Sequence, residues 1–109
     1  MDYSGLNIKI NELKRQGAVN LYIGEAKKVV PVKIGSVNKH ALKRGITKEE
    51  AQSFVDQAIV MFDQGSRLLY ISSDGSSVVL DAEKRLVSAY RKADYDSGMR
   101  AILEVVRNG

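Results

Sequence analysis

The first element is predicted by apolar residues that recur at helical spacing near the start of the chain. Leu6, Ile10 and Leu13 follow one another at intervals of four and three residues, which places them on one face of a helix. Gly17 is suited to end this helix, because glycine readily adopts the left-handed conformation that often follows a helix. The pattern therefore predicts an amphipathic helix at the N-terminus.

Two short stretches with alternating apolar residues come next. Residues 19–23 alternate like a strand and stop at Gly24. Residues 30–34 alternate again, but Pro31 lies inside them and has no N–H to donate to a neighbouring strand. This second stretch is predicted to be an edge strand or an extended loop.

Two helices are predicted in the middle of the chain. A short helix over residues 36–44 would begin at Ser36 as its N-cap and end at Gly45. Behind it, residues 47–50 match a capping box. Apolar residues then recur at helical spacing, which predicts one helix that reaches Phe62; they are Ala51, Phe54, Val55, Ala58, Ile59 and Phe62.

Three strands are predicted in the second half. Residues 68–71 lead into Asp74-Gly75, a dipeptide typical of two-residue hairpin turns, and residues 78–80 form the return strand. Residues 86–90 form the third strand of this antiparallel meander after a second turn.

The last stretch predicts a helix with Asp96 or Ser97 as its N-cap; its apolar positions are Met99, Ile102, Leu103 and Val106. Helices first and a meander afterwards indicate an α+β fold. We expect N-terminal helices on a small antiparallel sheet, a three-stranded meander that an edge strand could extend, and a C-terminal helix.

Basic residues are concentrated in two segments, although the formal charge of the chain is only +4. Residues 26–48, the first basic segment, hold seven lysines and arginines and no acid. Residues 84–109, the second basic segment, hold six basic and three acidic residues, and the residues between the segments hold seven acids and one arginine. This separation predicts a phosphate-binding face, with a solvated surface as the ordinary alternative.

Composition narrows the kinds of site to consider. The chain has no cysteine, so a disulfide framework and a thiolate zinc site are excluded. No apolar run approaches the ~20 residues of a membrane span, and no membrane span is predicted. Asp94 and Asp96 are close in sequence, but two carboxylates alone do not indicate a metal site. No metal and no other cofactor is predicted.

The only histidine lies in the first basic segment. His40 is flanked by Lys39 and Lys43 and stands four residues before Arg44, on the same face if this stretch is helical. A group that moves protons near neutral pH would then lie beside a guanidinium suited to binding phosphate. The ordinary alternatives are a surface or capping histidine, and an Arg44 that pairs with Glu49 or Asp63.

The end of the third predicted strand offers further groups. Ser88, Tyr90, Arg91 and Lys92 supply a hydroxyl, a phenol and two cations, and Tyr95 follows. RNA can be cleaved through its own 2′-hydroxyl if one group accepts a proton, another donates one, and cations stabilise the phosphorane. Each residue also has a structural alternative: strand residues at 88 and 90, solvated charges at 91 and 92, and a packing contact at 95.

Taken in order, these elements resemble the Barnase/EndoU/Colicin/RelE (BECR) nuclease superfamily, specifically C-terminal toxin domains of bacterial polymorphic and contact-dependent growth inhibition toxins. Related domains occur in phage proteins. The resemblance covers residues 33–107 and rests on Lys39-His40-x-x-x-Arg44, the helix from Thr47, and the three strands. The last strand is similar to the family's Val-x-Thr-x-Tyr pattern, with Ser88 in place of threonine. A second catalytic histidine, present in some members, has no counterpart here.

The resemblance implies a metal-independent ribonuclease, commonly acting on tRNA and neutralised by a cognate immunity protein. The chain would be the C-terminal part of a secreted or cell-surface bacterial toxin that acts in the cytoplasm of the target cell. We read residues 1–109 as a single nuclease-like domain, in which residues 1–32 either belong to the nuclease or form an N-terminal helical extension.

The sequence assigns roles as follows: His40, Arg44, Ser88 and Tyr90 are catalytic, and Lys39, Lys43, Arg91, Lys92 and Tyr95 bind RNA. Two alternatives stay open. One is a nucleic-acid-binding module without catalysis, which would use the same basic face and bind RNA in a salt-dependent manner. The other is a structural domain of a phage or mobile element with no nucleic-acid role.

Overall fold

The computed structural model describes residues 1–19, 23–38, 41–42 and 44–108, which form three α-helices and one five-stranded antiparallel sheet. The elements in chain order are α1 (Tyr3–Arg15), β1 (Glu25–Lys27), α2 (Lys48–Asp56), β2 (Ala58–Asp63), β3 (Arg67–Ser72), β4 (Ser77–Asp81), β5 (Leu86–Tyr90), a 3-10 turn (Lys92–Asp94) and α3 (Ser97–Asn108). The strands lie in the order β1-β2-β3-β4-β5, so each pairs with its neighbour along the chain. The predicted α+β class is confirmed. None of the described helices is long and apolar enough to cross a membrane.

The sheet is buried on both faces, which is why its strands are apolar at most positions. Helices α1 and α3 cover one face, the α1/α3 face, where Phe62, Leu69 and Ile71 point into the core. Helix α2 and the loops around it cover the other, the α2 face, where Tyr70 and Leu80 are fully buried. In β5, Leu86 and Ala89 pack into the core on the α2 face, and Tyr90 packs against the core on the α1/α3 face.

The two terminal helices begin at aspartate caps. Asp2 Oδ1 accepts a hydrogen bond from Gly5 N at 3.0 Å, and Asp96 Oδ1 accepts one from Met99 N at 2.9 Å. Each cap satisfies an N–H group that the first helical turn leaves without a partner. Gly17 follows α1 with φ +73°, as the sequence predicts. Both helices are therefore confirmed, with Asp96 as the N-cap of α3.

Helix α2 begins as predicted but ends earlier. Thr47 Oγ1 accepts a hydrogen bond from Glu50 N at 3.0 Å, which caps the helix. The helix ends at Asp56 rather than at Phe62, and β2 follows almost at once. The prediction of one helix to Phe62 is wrong, because β2 pairs with strands on both sides and Phe62 lies opposite both Ala26 and Leu69.

The first predicted strand is also displaced. Val19 and Ile23 lie outside any strand, residues 20–22 are outside the described part of the chain, and the strand in this region is β1. Residues 28–36 form an extended loop, which was one of the two predictions for residues 30–34.

Residues 32 and 34 of this loop obtain their hydrogen-bond partners from a side chain of α2. Gln52 Oε1 accepts from Ile34 N at 2.8 Å, and Gln52 Nε2 donates to Val32 O at 2.9 Å. A single glutamine thus replaces a neighbouring strand and fixes the first basic segment to α2.

The short helix predicted over residues 36–44 is wrong where the structure describes the segment. Val37 forms a parallel bridge with Leu86, Leu86 N donates to Ser36 O at 2.9 Å, and Asn38 N donates to Leu86 O at 3.0 Å. These backbone groups are occupied by β5 and cannot make helical hydrogen bonds. The sequence also predicted that His40 and Arg44 lie on one face of this helix. Of the residues concerned, Lys39, His40 and Lys43 lie outside the described part of the chain.

The meander has the predicted order but a longer first turn. Residues 73–76 lie between β3 and β4, and a hydrogen bond from Ser72 N to Ser76 O at 2.9 Å leaves a three-residue turn, 73–75, with Gly75 at φ +93°. Three-residue loops with a left-handed residue at the end are the next most common hairpin connection after two-residue ones. Asp74 accepts hydrogen bonds from the Ser72 hydroxyl and then from Ser76 N–H, and these lower the pKa of its carboxyl group.

Candidate functional site

The two basic segments meet at one edge of the sheet. β5 is an edge strand, and residues 35–38 run along its outer side. Gly35 N donates to Lys84 O at 2.9 Å, and Asn38 N donates to Leu86 O at 3.0 Å. The segment that carries the histidine is thereby held against the segment that carries the predicted hydroxyl, phenol and arginine.

Arg44 lies over the ring of Tyr90, with its guanidinium carbon 4.2 Å from the ring centroid. This is a cation–π contact between an exposed turn and the last residue of β5. In the described part of the chain, no ion pair joins Arg44 to Glu49 or Asp63, and Asp63 pairs instead with Lys27 at 3.1 Å. Two of the predicted catalytic residues, 46 positions apart in sequence, are therefore in direct contact.

Arg91 links three elements at this edge. Its Nη2 donates to both carboxylate oxygens of Glu50, at 2.6 and 3.1 Å, and its Nη1 donates to Arg44 O at 3.2 Å. The sequence did not indicate Glu50, since its partner lies 41 positions away. The Arg91 side chain is 45% exposed, and ion pairs this close to water contribute little to stability. Its main effect is to fix the Arg44 turn to the start of α2 and to the end of β5.

Ser88 and Tyr90 lie on the same face of β5. Ser88 pairs with Val79, and both Val79 and Tyr90 pack against the α1/α3 core. Residues two apart in a strand are separated by about 7 Å, so one ligand can contact both side chains. Both are half-buried, whereas Lys92 is exposed on the 3-10 turn.

Tyr95 packs in the core. It is 3% exposed, and burial raises the pKa of its phenol. Its hydroxyl lies beside the buried Ser77 hydroxyl, and neither makes a hydrogen bond with standard geometry to a described residue. The packing role that the sequence left open for Tyr95 fits this position, and the residue contributes to the wall of a pocket rather than to an exposed surface.

A pocket of about 320 Å³ opens beside the Arg44–Tyr90 contact, on the α1/α3 face of the sheet. Its apolar lining consists of Ile23, Leu69, Val79 and Met99. Its polar lining combines the guanidinium of Arg44 with Gln64 and two exposed carboxylates, Asp94 and Asp96. From the sequence, Asp94 and Asp96 were considered only as too few ligands for a metal site, and Asp96 as a helix N-cap. Their neighbouring residues do not indicate that both lie near Arg44 in the fold.

The charged groups at this edge are of both signs. Arg44 and Arg91 can bind an anion, and the carboxylates can accept hydrogen bonds from a donor group. Among the residues that the structure describes, no group of three or more His, Cys, Asp or Glu side chains is arranged to hold a metal ion. The arrangement suits a ligand that carries a phosphate at one end and hydrogen-bond donors at the other.

Comparisons of the chain with protein-family models, with curated proteins and with solved structures found no match. The resemblance to the BECR superfamily therefore stays a prediction from the sequence.

Proposed function

We propose that this protein is a metal-independent endoribonuclease that cleaves RNA through the 2′-hydroxyl of the substrate. The observation that carries the proposal is the pairing of the two basic segments along β5. Residues 35–38 of the first basic segment bond to Lys84 and Leu86, and Arg44 of the same segment contacts Tyr90 and Arg91 at the other end of β5.

The chemistry needs a proton acceptor, a proton donor and a cationic site for the phosphorane. We assign His40 to one proton step, because it is the only side chain in the sequence whose ordinary pKa lies near neutrality. Arg44 and Arg91 bind the scissile phosphate, and Ser88 donates to it. Tyr90 orients the substrate and serves the other proton step.

The remaining predicted contacts supply attraction and positioning. Lys39, Lys43 and Lys92 attract the RNA backbone, which requires only that their charges lie near the path of the strand. Tyr95 is buried, so its role is to shape the pocket beside the phosphate site.

Arg91 is available to phosphate even though it pairs with Glu50. The pair is partly exposed on both sides, so water screens it and its net contribution is small. A phosphate oxygen can take the place of the carboxylate without leaving a buried charge behind. Glu50 then holds Arg91 in position until RNA arrives.

The proposed substrate, delivery and inhibitor follow from the resemblance to the BECR superfamily. We propose that tRNA is the substrate, that the domain is delivered into the target-cell cytoplasm by a larger bacterial toxin, and that an immunity protein neutralises it. An acidic partner that covers the first basic segment and residues 84–92 would block the substrate directly. Protection of those residues from amide exchange in the complex tests this, and exchange that is unchanged there contradicts it.

The test is incubation of the purified protein with total bacterial RNA in EDTA, followed by a denaturing gel. Wild-type protein should give discrete fragments, and His40→Ala and Arg44→Ala should give few or none. Lys9→Ala is the matched control, because Lys9 is an exposed cation on α1, outside both basic segments.

The gel also separates the alternatives. Intact RNA together with salt-dependent binding would favour the binding module without catalysis. Intact RNA without binding would favour the structural domain. Full activity of a folded His40→Ala protein would refute the role given to His40.

A further inference from the structure

We propose that the pocket beside Arg44 and Tyr90 binds one nucleobase of the RNA and prefers bases that carry an exocyclic amino group over uracil. The inference rests on the proposed function in one respect, namely that RNA is the ligand. The preference itself follows from the lining of the pocket and is independent of catalysis.

The pocket has the size and composition of a small-ligand site. Its volume of about 320 Å³ falls within the usual range for such sites, which combine apolar walls with a few polar groups. Leu69, Val79 and Met99 provide apolar surface for a flat ring, and Tyr90 provides an aromatic wall. Stacking on such surfaces is largely indifferent to base identity, so it supplies affinity without selection.

Selection comes from the two carboxylates at the rim. Asp94 Oδ2 accepts from Arg91 N at 3.0 Å, and Asp96 Oδ1 accepts from Met99 N at 2.9 Å. Each aspartate keeps a second oxygen that accepts no hydrogen bond from any described residue. Both aspartates are exposed residues, and an ionised carboxylate can accept but cannot donate.

The four bases differ in what they offer to such a rim. Adenine, cytosine and guanine each present an amino group whose N–H bonds can point at a carboxylate, as cytosine N4 does in known contacts with aspartate and glutamate. Uracil presents two carbonyl oxygens on either side of its single N–H. The two carboxylates can only accept hydrogen bonds and therefore repel these carbonyl oxygens, so uracil is disfavoured.

Arg44 sets the orientation of the ligand. Its guanidinium lies on the Tyr90 ring at the mouth of the pocket, where it can bind the phosphate attached to the base. The phosphate then faces the arginine and the amino edge faces the aspartates. The reverse orientation would bring phosphate and carboxylate together.

The experiment measures binding of cytidine and uridine 3′-monophosphate by calorimetry. The two ligands have nearly the same size and the same charge, and they differ only along one edge of the base: cytosine has an amino group on carbon 4 and no hydrogen on N3, whereas uracil has a carbonyl on carbon 4 and an N3–H. We expect the wild-type protein to bind the cytidine nucleotide at least about tenfold more tightly, the discrimination expected of one good base-edge contact.

The variants Asp94→Asn and Asp96→Asn, singly and combined, test the rim. Asparagine still caps the backbone N–H groups and therefore preserves the local fold, but its amide can also donate to a carbonyl. In the double variant the ratio between the two nucleotides should fall towards one. Glu104→Gln, which removes an exposed carboxylate from α3 outside the pocket, should leave the ratio unchanged.

The outcomes distinguish this inference from the proposed function. Equal affinity for the two nucleotides, no binding of either, or a ratio that the double variant does not change would overturn the inference even if RNA is cleaved. Preferential binding of the cytidine nucleotide that depends on the aspartates would support it even if RNA stays intact.

Discussion

Gln52 is the residue whose replacement should show most clearly how the first basic segment is held. Its side chain bonds to Ile34 N at 2.8 Å and to Val32 O at 2.9 Å, so it provides both partners that a neighbouring strand would otherwise supply. Gln52→Ala removes both bonds together, along with an exposed bond from Gln52 Nε2 to Asp56 Oδ1 at 3.0 Å. It should destabilise the fold and release the segment that leads to the candidate site.

The magnitude follows from the groups that lose their partners. Loss of the bond to Val32 O costs about 1 kcal/mol net, and the buried N–H of Ile34, left without an acceptor, costs about 1–3 kcal/mol. Ile34 is 1% exposed, so water cannot easily replace the glutamine at its N–H. The expected loss in the free energy of unfolding is about 2–4 kcal/mol.

Urea denaturation monitored by circular dichroism measures this loss. Slopes of about 1–3 kcal/mol/M are usual for small domains, so the midpoint should fall by roughly 1–2 M. Gln57→Ala is the matched control: Gln57 directly follows the same helix as its C-cap, is exposed, and its side chain makes no hydrogen bond to a described residue. A loss below about 0.5 kcal/mol for Gln52→Ala, or equal losses for both variants, would refute the reasoning.

Three further outcomes are expected. Tyr90→Leu should lower stability by about 0.5–1 kcal/mol through loss of the contact with Arg44, while Tyr90→Phe keeps the ring and should not; equal urea midpoints for the two variants would contradict this. Glu50→Gln should tighten binding of a fluorescent RNA by freeing Arg91 and removing a nearby negative charge; weaker binding by the folded variant would show that Glu50 is needed to position Arg91. The carboxyl pKa of Asp74 is lowered in the fold, so the stability it contributes is present above about pH 4 and is lost as the pH falls through that lowered pKa. Asp74→Asn should therefore lose less stability than wild type between pH 7 and pH 3 in urea melts, and an equal loss would contradict the assignment.

Local signals were sufficient where an element is defined by its own residues. Helices α1 and α3 combine one apolar stripe with an aspartate cap, and the three strands of the meander are separated by short turns with typical turn residues. These elements need no distant partner to be recognised. They were predicted correctly, apart from the length of the first hairpin turn.

The wrong secondary-structure predictions concern segments whose conformation is set by pairing with residues far away in the sequence. The apolar run from Ala58 to Phe62 satisfies helical and strand spacing alike, and only pairing with β1 and β3 selects the strand. Residues 36–38 carry a good helix cap, but their backbone groups bond to β5, which lies about 50 positions later. The same limit applies to the site. Arg44 and Tyr90 were both proposed, yet their contact, the Glu50–Arg91 pair and the converging aspartates depend on the fold.

The measurement that tests the proposed function most directly is identification of the ends of RNA fragments made in EDTA. Attack by the 2′-hydroxyl leaves a 2′,3′-cyclic phosphate on one fragment and a 5′-hydroxyl on the other. We predict these ends for wild-type protein, no cleavage at a site where a single 2′-deoxynucleotide replaces the ribonucleotide, and no fragments with His40→Ala. Fragments that end in a 3′-hydroxyl, or cleavage that continues at the deoxynucleotide, would contradict the mechanism.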